Sequence, residues 1–359
     1  MTTQTIPFTA THTENMPALL AQLYCSLAIS TFQAGKVILV GSDGEHLNHL
    51  PRTFRRPMGL AVDGNHLAVA CEEEVVLLHN DPRLARTYPR KVDFYDALFI
   101  PRSTHYCGEL DVHDLAWGNE GLIGVNTLFS CLFRLDPDFN FVPLWQPPFI
   151  RGLEAEDRCH LNGMAVVDGA PKYATALGTT DTPEGWRDDK LEGGVLLDIS
   201  SGEVVLSGLP MPHSPRVVDG ELYILLGATG ELAVVDVEEG SYEVLQPVPG
   251  FARGMAHWGE YLFVGFSKIR EGRLFEGVRL DAEETHCGMG VVHRLSGGYM
   301  GEIRYVNTCE EIYDVQVLPG MRRPGILGVE GEMHKRAVSI PQTTYWAVEE
   351  EEQSGESDD

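Results

Sequence analysis

Six short apolar segments recur along the chain, and each ends close to a glycine. They read PMGLAVDG, VHDLAWGNEG, LNGMAVVDG, PHSPRVVDG, ARGMAHWGE and IYDVQVLPG, and they begin at Pro57, Val112, Leu161, Pro212, Ala252 and Ile312. Successive segments lie about 40 to 60 residues apart, a spacing typical of β-propellers in which each repeat forms one four-stranded blade. This repeat constrains the fold more strongly than any other feature of the sequence.

The remainder of each repeat is also rich in strand signals. A second run of β-formers follows each of the first five segments, for example HLAVAC and YLFVGFS, and hairpin-like pairs such as VLLDISSGEVVL come later. The sixth repeat loses its strand pattern near Gly328, while SLAISTFQ, KVILVGSDG and HLNHLPRTF near the N-terminus belong to no repeat. We therefore predict an all-β, six-bladed β-propeller, closed by N-terminal strands that complete the last blade, with five or seven blades as the alternative counts.

The repeat also sets the predicted domain boundaries. Residues 20–330 should form a single propeller domain, preceded by an extension over 1–19 and followed by an extension over 331–359. The best candidate for a short helix is MPALLAQLY near the N-terminus. The last thirteen residues, AVEEEEQSGESDD, hold seven acids and no bases, which predicts a disordered acidic tail that could contact a protein partner. No signal peptide or membrane-spanning run is apparent, so we expect a cytoplasmic protein.

One column of the aligned repeats is unusually polar. The residue that begins the first strand of each blade should lie at one mouth of the central channel, so equivalent residues form a ring. Three places before the column that holds alanine in four of the six segments, this ring column holds Met58, His113, Asn162, His213, Arg253 and Tyr313. A column that served packing alone would repeat small or apolar residues, whereas five of these six are polar.

The ring suggests a metal site. Two imidazoles and an amide oxygen, from His113, His213 and Asn162, suit a divalent zinc, iron, manganese or nickel ion. His160 precedes Asn162 by two residues and, on an extended strand, would point to the same side as a further ligand. Each of these residues could instead fix the start of a strand by hydrogen bonding.

Other polar residues could serve a substrate at this mouth. Asp114 and Asp314 could orient the histidines or act as a base, and Tyr313 could donate to a developing oxyanion. Arg253 suits a substrate carboxylate or phosphate, and Arg216 could project into the channel or form a plain salt bridge. The polar stretch GTTDTPEGWRDDKLEGG, from Gly178, could cover the mouth but is more typical of an ordinary loop.

The charge of the chain excludes some partners. Its formal net charge is −26, and removing the tail leaves it strongly acidic, so binding to nucleic acid or to an anionic membrane is not expected. The seven scattered cysteines contain no C-x-x-C pair and indicate neither a disulfide framework nor a zinc knuckle. Because Arg253 suits an anion, the expected ligand is a small anionic molecule.

Several blocks resemble a family of uncharacterised bacterial propeller-like proteins, known as a conserved domain of unknown function. The matching blocks are STFQAGKVILVGSDG, RPMGLAVDG, DVHDLAWG, RCHLNGMAV, PHSPR and YDVQVLPG. The likeness covers nearly the whole chain except the first fifteen residues and the tail. It implies a propeller but no particular activity.

A second resemblance is architectural. Six-bladed lactonases of the gluconolactonase and regucalcin type bind a divalent metal at the channel mouth through an Asn in an N-G-[LM] blade start, which is similar to NGM at Asn162. Where the next blade of that family offers Asp-Gly, this chain has His213 and Ser214. The departure favours a site richer in nitrogen, as in propeller lyases and iron oxygenases that hold metal with histidines.

The sequence thus predicts a metal-dependent enzyme acting on a small anionic substrate at the channel mouth, with ester or lactone hydrolysis as the first reaction. A histidine–metal lyase or oxygenase at the same site is the alternative within enzymes. Outside enzymes, the alternatives are a non-catalytic propeller that binds a peptide or partner protein, and a sensor that binds a small ligand without turnover.

Overall fold

Six sheets, each built on four antiparallel strands, surround a central channel. The structure is a computed structural model, and it describes residues 7–272 and 275–347. Its six sheets are the blades of a six-bladed β-propeller, which confirms the predicted fold class. The predicted acidic tail, from residue 348 onward, and residues 1–6 lie outside the described residues.

Each of the first three blades is built from consecutive strands, with the first strand at the channel. Blade 1 contains Leu60–Asp63, His66–Ala70, Glu74–Asn80 and Ala97–Tyr106. Blade 2 contains Val112–Gly118, Gly121–Asn126, Cys131–Arg134 and Val142–Trp145. Blade 3 contains Leu161–Val167, Ala170–Ala176, Gly194–Asp198 and Val204–Leu209.

Blades 4 and 5 repeat this plan, whereas blade 6 joins the two ends of the chain. Blade 4 contains Pro212–Val218, Glu221–Leu226, Glu231–Asp236 and Ser241–Pro247. Blade 5 contains Phe251–Trp258, Tyr261–Ser267, Cys287–His293 and Gly298–Tyr305. Blade 6 contains Asp314–Pro319 at the channel, followed outward by Cys25–Thr31, Lys36–Ser42 and Leu47–Thr53.

The ring is closed by pairing between distant parts of the chain, as predicted. Cys25–Thr31 runs antiparallel to Asp314–Pro319, with Ala28 opposite Gln316. Because the last blade takes strands from both ends of the chain, neither end can separate without breaking a sheet.

Short elements outside the blades cover their outer edges. The strand Ala10–His12 adds a fifth strand to blade 5, and Pro324–Ile326 adds a parallel fifth strand to blade 1. The remaining elements are the helices Met16–Leu23, Pro82–Arg86 and Met333–Arg336, the 3₁₀ helix Gly185–Asp189, and the hairpin strands Ala337–Ser339 and Thr344–Trp346. None of the helices in the described ranges is long and apolar enough to cross a membrane.

The core lies between neighbouring blades. One apolar cluster joins Val125 of blade 2 to Leu197 of blade 3, and another joins Leu225 of blade 4 to Val264 of blade 5, all completely buried. These sheets pack face to face, and the burial of both faces explains why the strands read as apolar runs.

Close packing at the channel also explains a recurrent glycine in the blade starts. A Cβ atom on Gly254, whose φ is +83°, would lie 2.7 Å from the Cα atom of Asp314 in the next blade. Only glycine permits both this backbone conformation and this approach. The first strands of blades 5 and 6 can therefore lie close enough for their side chains to meet.

Candidate active site

A cavity of about 280 Å³, lined by both polar and aromatic side chains, opens at one mouth of the channel. Four residues of the ring column line it, namely His113, His213, Arg253 and Tyr313, and His160 joins them. The strands of blades 2, 4, 5 and 6 begin at this mouth, so their first side chains converge, as the alignment of the repeats predicts.

A left-handed backbone residue lies two places before the ring column in four consecutive blades. These residues are Arg56 (φ +46°), Asp111 (φ +54°), His160 (φ +51°) and Met211 (φ +54°). The carbonyl oxygen of Asp111 lies 3.0 Å from Nδ1 of His113, and that of Met211 lies 2.9 Å from Nδ1 of His213. A carbonyl can only accept, so both Nδ1 atoms carry the proton and both Nε2 atoms keep a lone pair.

A hydroxyl group strengthens this arrangement at His113. Thr127 donates its hydroxyl hydrogen to the carbonyl oxygen of Leu161 at 2.6 Å, so its oxygen accepts from Nδ1 of His113 at 2.8 Å. The tautomer of His113 is thus fixed by two acceptors.

His160 is held by a carboxylate instead. Its Nδ1 lies 2.9 Å from Oδ2 of Asp157, which also accepts from Nε1 of Trp186 at 2.9 Å. The His160 ring packs on Trp186 with 4.3 Å between the centroids. His160 was expected on an extended strand beside Asn162, but the strand begins at Leu161 and the left-handed backbone turns His160 into the cavity.

The cavity keeps two of its imidazoles neutral. Burial lowers the pKa of His113 to about 4, and burial together with the Arg253 charge holds the pKa of His213 well below its usual value. The rings of His113 and His160 are in contact, with 4.7 Å between centroids. Within the described part of the chain, no hydrogen bond reaches Nε2 of His113, His160 or His213.

Two arginines share one carboxylate beside the histidines. Nη2 of Arg253 donates to Oε1 of Glu311 at 2.9 Å, and Nη2 of Arg270 donates to Oε2 of the same group. The Arg253 guanidinium also lies over the Tyr313 ring, 4.0 Å from its centroid, which adds a cation–π contact. We call Arg253, Glu311 and Arg270 the arginine clamp.

Donor groups around the cavity lack acceptors. Among the described residues, Nε of Arg187, Nε of Arg253 and Nη1 of Arg270 are buried without a hydrogen-bond partner. The buried hydroxyl of Tyr313 lies beside Arg253 and likewise makes no hydrogen bond of ordinary geometry. Buried donors are normally satisfied, so this set indicates a cavity suited to an anionic ligand.

Asn162 lies apart from this cavity. Its Nδ2 donates to the carbonyl oxygen of Pro212 at 3.1 Å, and its Oδ1 accepts from the Thr175 hydroxyl at 2.7 Å. The residue does not line the cavity. Its amide therefore joins blade 3 to blade 4, and the structure does not bring its oxygen to the histidines.

Asp114 and Asp314 also point elsewhere, because neighbouring side chains of a strand face opposite sides. Asp114 forms a two-point ion pair with Arg216, at 2.9 and 3.1 Å. Asp314 accepts from the backbone N–H of Leu60 in blade 1 at 2.8 Å, and neither carboxylate lines the histidine cavity. We call Asp114, Arg216 and Asp314 the channel cluster. It lies inside the channel, and Arg216 faces the opposite mouth.

The structure adds residues to the site that the sequence interpretation did not select. The column two places before the ring contributes Glu311, Asp111 and Arg56 to this cavity. The same column holds His160. That column is also mostly polar, so the sequence alone could have indicated these residues. Trp186 and Arg187 come from the stretch expected to be an ordinary loop, which instead supplies one wall of the cavity.

A larger groove lies on the outer side of blades 3 and 4. It measures about 690 Å³ and is lined by strand residues such as Val167, Val234 and Tyr242. Lys172 in this groove is already paired with Asp198 at 2.9 Å. The convergent donors and imidazoles lie in the smaller cavity, so we place the candidate site there.

The donor chemistry suits a metal, although the present arrangement is not a closed metal site. Imidazoles that bind metals usually donate their second ring N–H to a carbonyl or carboxylate, as His113, His160 and His213 do. Over residues 7–272 and 275–347, no three His, Cys, Asp or Glu side chains are grouped closely enough to hold an ion.

A solved structure shares the fold. The chain is similar to one in "Crystal structure of Nidogen/Laminin Complex", with a TM-score of 0.56 and 10% identity over 82% of this chain and 99% of that one. It is also similar to a protein of unknown function from Bacteroides caccae, with a TM-score of 0.48 and 8% identity over 82% and 98%. At these identities the likeness concerns the fold alone.

The sequence comparisons address the predicted family. No protein with a curated description matches the sequence. The profile of the family described as "Domain of unknown function (DUF4915)" matches residues 14–327, and the predicted resemblance is confirmed. The chain therefore belongs to the DUF4915 family.

Proposed function

We propose that this protein is a metal-dependent enzyme that acts on a small anionic substrate in the histidine cavity. The observation that carries the proposal is the shared orientation of three imidazoles. His113, His160 and His213 each have Nδ1 bound to an oxygen acceptor and an unbonded Nε2, in a cavity that also contains Arg253.

The ligand set differs from the one predicted from sequence. Nε2 of His113, His160 and His213 would hold a divalent zinc, iron, manganese or nickel ion, while Asn162 stays in its contact between blades. Metal binding would require the three imidazoles to lie closer together than they do in this structure. The bound ion would polarise a carbonyl group or activate water.

The protein's own residues would position the substrate. Arg253 donates to its anionic group, and the unpartnered Tyr313 hydroxyl can donate to an oxygen that gains charge during reaction. Burial raises the pKa of this hydroxyl well above its usual value, so it remains a donor at neutral pH. Hydrolysis of an ester or lactone is the first reaction to test, followed by elimination and oxygenation.

The metal content of the purified protein tests the proposal. Protein prepared without chelator should contain about one equivalent of a transition metal, or bind one on titration, as three imidazole ligands imply. The His113→Ala, His213→Ala double variant should lose this metal, while a control double variant at the exposed His12 and His46 should keep it.

A folded His160→Ala variant provides a second measurement if the double variant is unstable, and it should bind the metal more weakly. Loaded protein should then hydrolyse members of a panel of small carboxylated esters and lactones. Wild-type protein that contains no metal and binds none would contradict the metal-dependent mechanism, and a propeller that binds a partner or senses a ligand would then become the leading explanation.

A further inference from the structure

The arginine clamp carries a definite charge. Arg253 and Arg270 contribute two positive charges and Glu311 contributes one negative charge, with Arg253 and Glu311 less than one-tenth exposed. The clamp therefore presents one unit of positive charge.

The clamp also has free donors for one anionic group. Glu311 uses one Nη2 of each arginine, which leaves Nε of Arg253 and Nη1 of Arg270 buried and unpartnered. A single carboxylate carries one negative charge, so it can neutralise the clamp, and its two oxygens suit guanidinium N–H donors.

The other charged side chains that line the cavity are paired or exposed to solvent, and Asp157 adds a negative charge behind His160. Arg56 is paired with Glu72 at 2.6 Å, and Arg187 is paired with Glu184 at 2.8 Å. The Asp111 side chain is 45% exposed, so solvent screens its charge. A second negative charge on a ligand would meet no additional uncompensated cation in the cavity.

We infer that the arginine clamp selects substrates with a single negative charge, carboxylates above all, and that Glu311 determines this selectivity. The inference rests on the proposed small anionic substrate but not on the metal. A dianion would leave one charge unneutralised near the buried Glu311 carboxylate, which is unfavourable. Replacing Glu311 with glutamine would raise the clamp charge to two and remove the basis for rejecting dianions.

Butyrate and succinate provide matched probes, because both have four carbons but carry one and two charges at neutral pH. Calorimetric titration of metal-free protein, in chelator and at constant ionic strength, should show butyrate binding about tenfold or more tightly than succinate. In Glu311→Gln the preference should reverse. Arg270→Gln should weaken butyrate binding by about tenfold, since one of the two free donors and the net charge are lost.

Glu310→Gln is the matched control, because it removes the same charge from the adjacent, exposed position and should leave the wild-type preference unchanged. Equal or tighter binding of succinate by the wild type would overturn the inference, as would an unchanged preference in a folded Glu311→Gln. Binding of neither probe at high concentration would also overturn it. The comparison within the wild type does not depend on how stable the variants are.

The two proposals fail separately. Metal binding without anion selectivity would retain the metal site and reject the clamp inference. Anion selectivity in a protein that binds no metal would retain the clamp and reject the metal-dependent mechanism.

Discussion

The Arg216→Met variant is expected to lower the free energy of unfolding by about 3–5 kcal/mol, the range typical when one partner of a buried ion pair is removed. Arg216 donates to both oxygens of Asp114, whose side chain is only 5% exposed. It also donates through Nε to the carbonyl oxygen of Met255 in blade 5 at 3.0 Å. Its loss would leave the carboxylates of Asp114 and Asp314 near each other without a cation.

Denaturant unfolding measures this effect. The control is Arg279→Met, which removes an exposed ion pair with Glu192 and should change stability by less than about 1 kcal/mol. An Arg216→Met variant as stable as this control would show that the channel cluster does not hold the blades together. From sequence, Arg216 could form either a substrate contact or a salt bridge. Its hydrogen bonds favour the salt bridge, which is a structural role.

The second large effect is a dependence of stability on pH that originates at Asp314. Burial, together with the nearby charge of Asp114, raises the pKa of Asp314 to about 7, whereas an unfolded aspartate has a pKa of about 3.9. Between these values the folded protein holds a proton that the unfolded chain releases. The stabilisation is therefore complete below about pH 4 and is lost as the pH rises through 7.

Comparison with Asp314→Asn isolates this contribution, because asparagine is neutral at every pH. The stability of the wild type relative to Asp314→Asn should fall by up to roughly 4 kcal/mol between pH 4 and pH 8, the free-energy equivalent of about three pKa units. Unfolding in urea across this range measures the difference, and the exposed Asp138→Asn variant serves as control. A difference that is constant with pH would show that Asp314 holds no such proton.

The fold could be predicted largely from the repeat. Equivalent strands recur with similar patterns, so six segments sufficed to indicate six blades, and the unused N-terminal strands indicated how the ring closes. The same periodicity placed His113, His213, Arg253 and Tyr313 at one mouth, because side chains at equivalent positions of related blades point in equivalent directions.

The finer details of the site do not follow the repeat. Asn162 occupies the ring column, but its side-chain amide forms hydrogen bonds with Thr175 and Pro212. No sequence pattern predicts these partners. His160 reaches the cavity through a left-handed backbone, which is uncommon for a residue other than glycine. Arg270 comes from the long loop between the second and third strands of blade 5, which the alignment of blade starts does not cover.

The assignment of the site depends most directly on the protonation of three imidazoles. Correlation of imidazole ¹H and ¹⁵N resonances in labelled protein, with His113→Gln, His160→Gln and His213→Gln spectra for assignment, determines which ring nitrogen carries each proton. We expect all three residues to be protonated at Nδ1, and their Nε2 resonances to shift together as Zn²⁺ is added. Protons found on Nε2, or Nε2 resonances whose chemical shifts do not change when Zn²⁺ is added, would contradict a shared site at the channel mouth.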